Sequence, residues 1–423
     1  MDSTLRKIKK IIPRPIFNLF QPAYHYCMAL FGVIRYGFPS KKIIVIGVTG
    51  TKGKSSTTEF LNAILEVGGK KTAMVNGIRF KIGERSIPNR FKMTMPGRMF
   101  IQKKLYEAVR AKCEYFILEI TSEGAKQFRN KFIDLNALIF TNLSPEHIES
   151  HGSYEKYREA KLSIARALEK SPKKNKVIIA NSDDKESEKF LKIKVEKKIS
   201  YSLKDVEPYY SDATGFSFTF DGEKIRSSLP GTFNIYNALA AALCAKNFGV
   251  SVKNITEGIK NMEKIRGRME KIKEGQPFEI YVDYAHTADS LKQAYESLGG
   301  KNLICILGST GGGRDKWKRP EMGAMADKYC SRIILTNEDP YDEDPKTIIN
   351  DVKRGIKNKT PEIIINRREA IQKAISLAKA GDAIIITGKG TDPYIMEANG
   401  KKTPWDDAEV VKENLRILAQ KKI

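Results

Sequence analysis

Apolar positions along the chain fall into short unbroken runs separated by helix-like or polar stretches. The run Lys42 to Thr49, with Ile-Ile-Val-Ile-Gly-Val inside it, has no polar face, as a strand buried on both faces of a parallel sheet requires. A glycine-rich turn follows, then a predicted helix from about Ser55 to Val67. Similar runs recur at Tyr115–Ile120, Ala137–Phe140 and Val177–Ala180. Strands alternating with helices predict a doubly wound α/β domain with a mostly parallel sheet. An Ala-rich helix is predicted over Asn234–Phe248. A second strand series then begins at Glu279–Val282 and continues through Leu303–Leu307, Arg332–Thr336, Glu362–Ile365 and Ala383–Thr387, with a helical pattern over Arg367–Ala380. The reading is three parts, with a boundary near Glu263–Gly267: residues 1–39, a central domain over 40–264, and a smaller Rossmann-like α/β domain over 265–423.

A length of 423 residues suits two or three cores. The charge balance of 74 Lys+Arg against 50 Asp+Glu leaves +24, which fits nucleic acid, anionic lipid or phosphate-rich small substrates. No RNA-reading aromatic motif, zinc finger or basic zipper occurs, so nucleic acid is not an expected partner. Five scattered cysteines without a CxxC pair argue against a disulfide framework or zinc site and for a reducing cytoplasm. Cys113, Cys244 and Cys305, in apolar surroundings, are expected as small core residues. Arg6, Lys7, Lys9, Lys10 and Arg14 precede an apolar-aromatic stretch, Ile16 to Ile34, which Pro22, Asn18, Gln21 and His25 interrupt. It is too broken to span a membrane and has no signal-peptide cleavage site. A helix packed on the following domain is the preferred reading; peripheral contact of residues 1–38 with an anionic membrane is the alternative.

The chemistry begins at Gly50-Thr51-Lys52-Gly53-Lys54-Ser55, followed by Ser56, between the first strand and its helix. Backbone N–H groups of such a loop point at phosphates and the helix N-terminus adds positive charge. Lys54 would reach the β/γ-phosphates of ATP, and the Ser55 hydroxyl would hold Mg²⁺. Where the general loop opens with glycine, Val48 stands instead, so this is a variant.

That variant resembles the loop of the Mur ligase family. The likeness continues in order through Thr94-Met95-Pro96-Gly97, Leu118-Glu119-Ile120-Thr121-Ser122, Thr141-Asn142-Leu143-Ser144-Pro145-Glu146-His147 with His151-Gly152, and Tyr157-Arg158-Glu159-Ala160-Lys161. The resemblance implies Glu119 and His147 as Mg²⁺ ligands and Lys161 as N6-carboxylysine serving a second Mg²⁺. Asn234, in Gly231-Thr-Phe-Asn-Ile-Tyr-Asn-Ala238, would reach adenine; helix capping by Asn234 is the structural alternative. Arg268, in Gly267-Arg-Met-Glu270, would contact the γ-phosphate, and Asp283, in Asp283-Tyr-Ala-His-Thr287, the ribose.

The stretch from Gly308 through Arg314-Asp315-Lys316-Trp317-Lys318-Arg319-Pro320 is similar to that of the branch adding the third residue of the peptidoglycan stem. Arg314 would take the α-carboxylate of an incoming amino acid, since a guanidinium grips carboxylate bidentately. Gly388 and Asp392, in Gly388-Lys-Gly-Thr-Asp392, belong to the same pocket. Two departures stand out. Only about 40 residues precede the first strand, too few for the branch's UDP-binding domain. Where diaminopimelate-using members read Asp-Asn-Pro-Arg, this chain reads Glu338-Asp339-Pro340-Tyr341. With Asp339 and Asp392 near the pocket and Tyr341 in place of arginine, a distal ammonium such as that of lysine is expected over a distal carboxylate; diaminopimelate, and a solvated acidic loop selecting nothing, stay open.

The expectation is an ATP-dependent amide-bond ligase working through an acyl phosphate on a muramoyl-peptide-like acceptor, as a cytoplasmic monomer. Lys54, His147, Lys161 and Arg268 would carry catalysis, and His286 is a candidate base. A folylpolyglutamate synthase-like ligase or a non-catalytic nucleotide-binding module are the alternatives.

Overall fold

The computed structural model describes residues 14–146 and 148–420. A helix, α1 (Arg14–Arg35), precedes an eight-stranded sheet of β1 (Ile44–Thr49), β2 (Thr72–Val75), β3 (Arg79–Ile82), β4 (Arg85–Pro88), β5 (Tyr115–Glu119), β6 (Ala137–Phe140), β7 (Val177–Asn181) and β8 (Lys197–Tyr201). Their order is β4-β3-β2-β5-β1-β6-β7-β8, all parallel except β3, which pairs antiparallel with both β2 and β4. The unbroken apolar runs have their cause here, because successive side chains of one strand serve opposite cores. Ile46 and Val48 of β1 face α2 (Lys54–Val67) and the later Ala-rich helix Thr232–Asn247. Val45 faces the other way, toward α3 (Arg98–Arg110) and α4 (Tyr154–Glu169). The register sets Val48 beside Glu119, so the carboxylate sits where the first strand ends.

A small antiparallel sheet intervenes, and the chain then builds a six-stranded, mostly parallel sheet. Its strands with roles below are Glu279–Val282, Leu303–Leu307, Arg332–Leu335 and Ala383–Ile386. The fully buried Arg367 is neutralised by Asp407 through bonds of 2.8 and 2.7 Å.

Two expectations need correction. Cys305 and Cys330 are joined as a disulfide with Cα atoms 6.0 Å apart. The parallel partnering of Leu303–Leu307 with Arg332–Leu335 brings together two residues 25 apart, and no local spacing announces it. The cysteine pattern therefore does not argue for a reducing compartment. The expected packing of the N-terminal helix on the following domain is present over one face only, and residues 1–13 of that segment lie outside the described residues. One face of α1 packs on α3, burying His25, Ala29 and Val33 and setting Gly32 against Met99, while Phe20, Tyr24, Phe31 and Ile34 are exposed on the other. Among the described residues no helix is long and apolar enough to cross a membrane.

Candidate active site

The carboxyl ends of the central strands face the second sheet across a cleft of about 940 Å³. At its floor β1 turns through Gly50–Gly53 into α2. Gly53 has φ 79°, and a Cβ there would fall 2.3 Å from Asn237 Oδ1, so both conformation and space require glycine. The loop is held from outside. The Thr51 and Lys52 amides donate to the carbonyl and side-chain oxygens of Asn142 (2.8 and 2.9 Å), and the Thr141 hydroxyl donates to the Lys52 carbonyl (2.7 Å). Lys54 Nζ folds back onto the Thr51 carbonyl at 2.8 Å. The first turn of α2 leaves amides without helical acceptors at the positive end of the helix, and Ser56 lies buried behind them. This cradle fits a polyphosphate.

Ser55 Oγ donates to Glu119 Oε2 at 2.7 Å, and the same oxygen accepts the Gly77 amide at 2.9 Å. A hydroxyl and a buried carboxylate at the phosphate loop are hard oxygen donors suited to Mg²⁺, which keeps water and phosphate oxygens as further ligands. Among the described residues no group of three or more His, Cys, Asp or Glu could hold a metal, in keeping with so sparse a donor set. His147 lies outside the described residues. Lys161 is buried on α4, donates to the Gly50 carbonyl at 2.6 Å and lies 4.9 Å from the Tyr157 ring centroid. Burial, then the Lys54 ammonium, push its pKa well below the lysine range, which raises its neutral, nucleophilic fraction.

At the nucleotide end Asn234, expected to reach adenine, does not line the cleft. Asn234 is buried and turns its amide back to the Pro230 carbonyl at 2.8 Å, while Asn237, one helical turn on, lines the cleft. Nor does Asn234 cap the helix. Gly231 is the cap residue and supplies no side chain, and Asn234 lies inside the first turn.

The opposite wall belongs to the second domain. The Arg268 guanidinium lies 4.4 Å over the Tyr284 ring and donates to the Gly267 carbonyl at 2.9 Å. Asp283 accepts the amides of Met269 and Ala285, both at 2.7 Å; burial raises its pKa. Its carboxylate thus shapes the turn that carries Arg268. His286 has both ring nitrogens against acceptors, the Tyr284 carbonyl at 2.8 Å and Glu146 Oε1 at 2.7 Å. Both nitrogens of the ring are thus engaged within the protein rather than open to a substrate. The ring bridges the domains instead, as do Lys52–Asp289 and Lys92–Asp339.

The amine pocket differs most from expectation. Arg314 is exposed to the cleft beside Tyr284, Tyr341 and Asp392. Asp339 is buried and already engaged, by Lys389 Nζ at 2.9 Å, the Met396 amide at 2.8 Å and Lys92. Burial alone would raise its pKa, but Lys389 and Lys92 hold it below the usual carboxylate range. Asp392 lies 3.5 Å from Lys92 and 3.7 Å from Lys389. Asp339 is thus already neutralised, whereas Asp392 stays partly exposed to the cleft. Of the neighbouring acids, Asp342 and Asp344 are exposed, Asp342 accepting the Asn399 amide and Asp344 capping the helix Pro345–Lys353, while Glu343 pairs with the buried Arg319.

Two further contributors are Lys92, which belongs to no motif, and Glu338, which opens the Glu338–Tyr341 stretch. Lys92 comes from the central domain and stands 5.5 Å from the Tyr341 ring centroid. Glu338 is buried; its Oε1 accepts the Thr310 hydroxyl at 2.6 Å, and its Oε2 has no hydrogen-bond partner among the described residues. That oxygen abuts Gly388, whose φ of 101° and lack of a side chain leave it room.

Comparison with known proteins agrees with this geometry. Residues 48–245 match the family model described as Mur ligase middle domain, and residues 267–390 match Mur ligase, glutamate ligase domain. The chain is 37% identical to the UDP-N-acetylmuramoyl-L-alanyl-D-glutamate--2,6-diaminopimelate ligase of Syntrophomonas wolfei, over 94% of this chain and 83% of that protein. It is 35% identical to the UDP-N-acetylmuramyl-tripeptide synthetase of Borreliella burgdorferi, over 92% and 80%. Among solved structures, a UDP-N-acetylmuramoyl-L-alanyl-D-glutamate--2,6-diaminopimelate ligase superposes with TM-score 0.61 at 27% identity, covering 89% of this chain and 79% of that one. Mycobacterium tuberculosis folylpolyglutamate synthase with ADP gives 0.68 at 16% identity, covering 86% and 91%, a likeness of fold alone.

Proposed function

The chain belongs to the Mur ligase family, the ATP-dependent acid–amino-acid ligases of peptidoglycan synthesis, and from this we propose that it adds 2,6-diaminopimelate to a UDP-muramoyl-dipeptide acceptor. Reactions of this family form an acyl phosphate on the acceptor's carboxylate; the amine attacks the acyl carbon, the C–O bond to phosphate breaks, and phosphate leaves. The supply of ATP places the reaction in the cytoplasm.

Lys54 and the loop amides bind the transferring phosphate, with Arg268 approaching from the opposite wall. Ser55 and Glu119 would hold Mg²⁺, which would supply neutralisation of the charge on the phosphates. Lys161 carries a carbamate: its neutral nitrogen attacks carbon dioxide, loses a proton and becomes an anionic oxygen donor at the second metal site. The support for that reading is its burial and depressed pKa beside the phosphate loop. Closure, pinned by Glu146–His286, keeps water from the acyl phosphate.

The observation that carries the choice of diaminopimelate is the engagement of Asp339 by two lysines. It removes the expected anchor for a distal ammonium and sets the Lys92 cation by Tyr341, able to pair with a distal carboxylate. Arg314 takes a carboxylate, and the free Glu338 oxygen takes an ammonium. The similar proteins named for diaminopimelate point the same way. The test is phosphate release with UDP-N-acetylmuramoyl-L-alanyl-D-glutamate, ATP and either diaminopimelate or lysine. Release that requires acceptor and diaminopimelate together is expected. Equal or faster release with lysine overturns the substrate, and no release with either overturns the reading.

A further inference from the structure

Helix α1 is apolar on two opposite sides. Residues 15–34 contain no Asp, Glu, Lys or Arg, in a chain of which 29% is charged. His25, Ala29 and Val33 line the side packed on α3. Phe20, Tyr24, Phe31 and Ile34 are 64, 56, 55 and 60% exposed. At 100° per residue these four fall within a stripe about 80° wide, diametrically opposite the packed side. The exposed Cys27 falls within the same stripe, Ala23 borders it, and Phe38, 40% exposed, extends it past the helix end. A helix on the surface of a water-soluble domain places polar residues there. This one presents aromatic and aliphatic side chains instead.

The charge around the stripe selects what covers it. Residues 1–42 hold eight Lys and Arg (Arg6, Lys7, Lys9, Lys10, Arg14, Arg35, Lys41 and Lys42) against one acid, Asp2. Cations therefore stand on both flanks of an uncharged stripe in the sequence, with Arg35, Lys41 and Lys42 exposed at its carboxyl end. On α3, against which α1 packs, Glu107 is paired with Lys104 and Lys103. An apolar stripe flanked by cations matches the acyl boundary and anionic headgroups of a bilayer. With 22 residues and no spanning character, such a helix lies along the surface.

We propose that α1 docks the enzyme on an anionic membrane, with Phe20, Tyr24, Phe31 and Ile34 entering the headgroup–acyl boundary and the flanking lysines and arginines pairing with lipid phosphates. The Tyr24 hydroxyl stays at headgroup level. The docking face lies on the far side of α1 from α3 and uses no residue that lines the cleft.

The test is co-sedimentation of the full chain with vesicles of phosphatidylcholine alone or with 30% phosphatidylglycerol, for wild type and Phe20→Glu/Phe31→Glu/Ile34→Glu. Wild type should partition at least tenfold more strongly onto the anionic vesicles, less so as salt rises. The triple variant should lose at least tenfold of that partition while keeping its far-ultraviolet circular dichroism and phosphate release. Absence of wild-type binding, or equal binding by a folded triple variant, overturns the proposal. So does a wild-type dimer that ignores vesicles and dissociates in the triple variant, since the stripe is then covered by a second copy.

Discussion

Lys161 and Gly50 stand 111 residues apart, yet the Lys161 ammonium donates to the Gly50 carbonyl across 2.6 Å. The bond ties α4 to the first residue of the phosphate loop and places a buried amine, with its pKa pushed down, next to Lys54. Lys161→Ala should lower kcat by roughly 100-fold or more, the scale for losing a metal-site donor or its support. Incubation with ¹³C-bicarbonate should give wild type a carbamate carbon resonance that Lys161→Ala lacks. Full-rate turnover by the variant removes Lys161 from the site.

Lys54→Ala should lower phosphate release by roughly 100- to 1000-fold, the usual loss for a charge stabilising a transferring group. Thermal unfolding should barely move, because Asn142 and Thr141, not Lys54, hold the loop. A folded Lys54→Ala enzyme with near-normal turnover refutes the phosphate role.

Asp339→Asn strands the fully buried Lys389, which keeps only the Tyr394 carbonyl and a distant Asp392. Loss of one partner of a buried pair costs about 3–5 kcal/mol. The melting temperature should fall by several degrees, a loss that Lys92→Ala, removing only the partner from the other domain, should not reproduce. Equal melting of wild type and Asp339→Asn contradicts the buried pair.

Amine selection gives a separate readout. Lys92→Ala should lower kcat/KM for diaminopimelate about tenfold, a charge-pair loss of roughly 1.4 kcal/mol, and leave lysine nearly unchanged. Tyr341→Arg should raise the diaminopimelate-to-lysine ratio. If neither variant shifts the ratio, Lys92 does not read the distal group.

Acid stability follows from Glu343. The buried Arg319 guanidinium, bonded to it at 2.7 and 2.9 Å, lowers its pKa to about 2. A depressed carboxylate contributes stability above its unfolded pKa, near 4.5, and loses it as pH falls through the folded one. Wild type should therefore lose stability relative to Glu343→Gln between about pH 4.5 and 2. Parallel acid-unfolding curves over that range defeat the assignment.

The strands and the phosphate loop were legible because burial on both faces demands unbroken apolar runs, and a loop between strand and helix has few other uses. Every strand expected in the two main sheets occurs where its run lies. The tertiary pairings were not legible. Sequence places Asp339 in an acidic stretch, but its partners Lys92 and Lys389 come from residues 247 and 50 positions away. Asn234 and Asn237 sit one turn apart on the same helix, and only the helix's rotation decides which meets the cleft. Cys305 and Cys330 meet because two parallel strands adjoin.

The engagement of Asp339 by Lys92 also bears on the thermodynamics of substrate entry. If Lys92 reads the substrate, the enzyme carries a tethered competitor for its own amino acid: Asp339 occupies the cation at a local concentration that no free ligand reaches. Binding then becomes an exchange of one carboxylate for another rather than a simple addition, and its net free energy is a difference between two similar ion pairs. Such an exchange holds apparent affinity down while preserving discrimination, because a ligand without a distal carboxylate has nothing to offer Lys92 in return for Asp339.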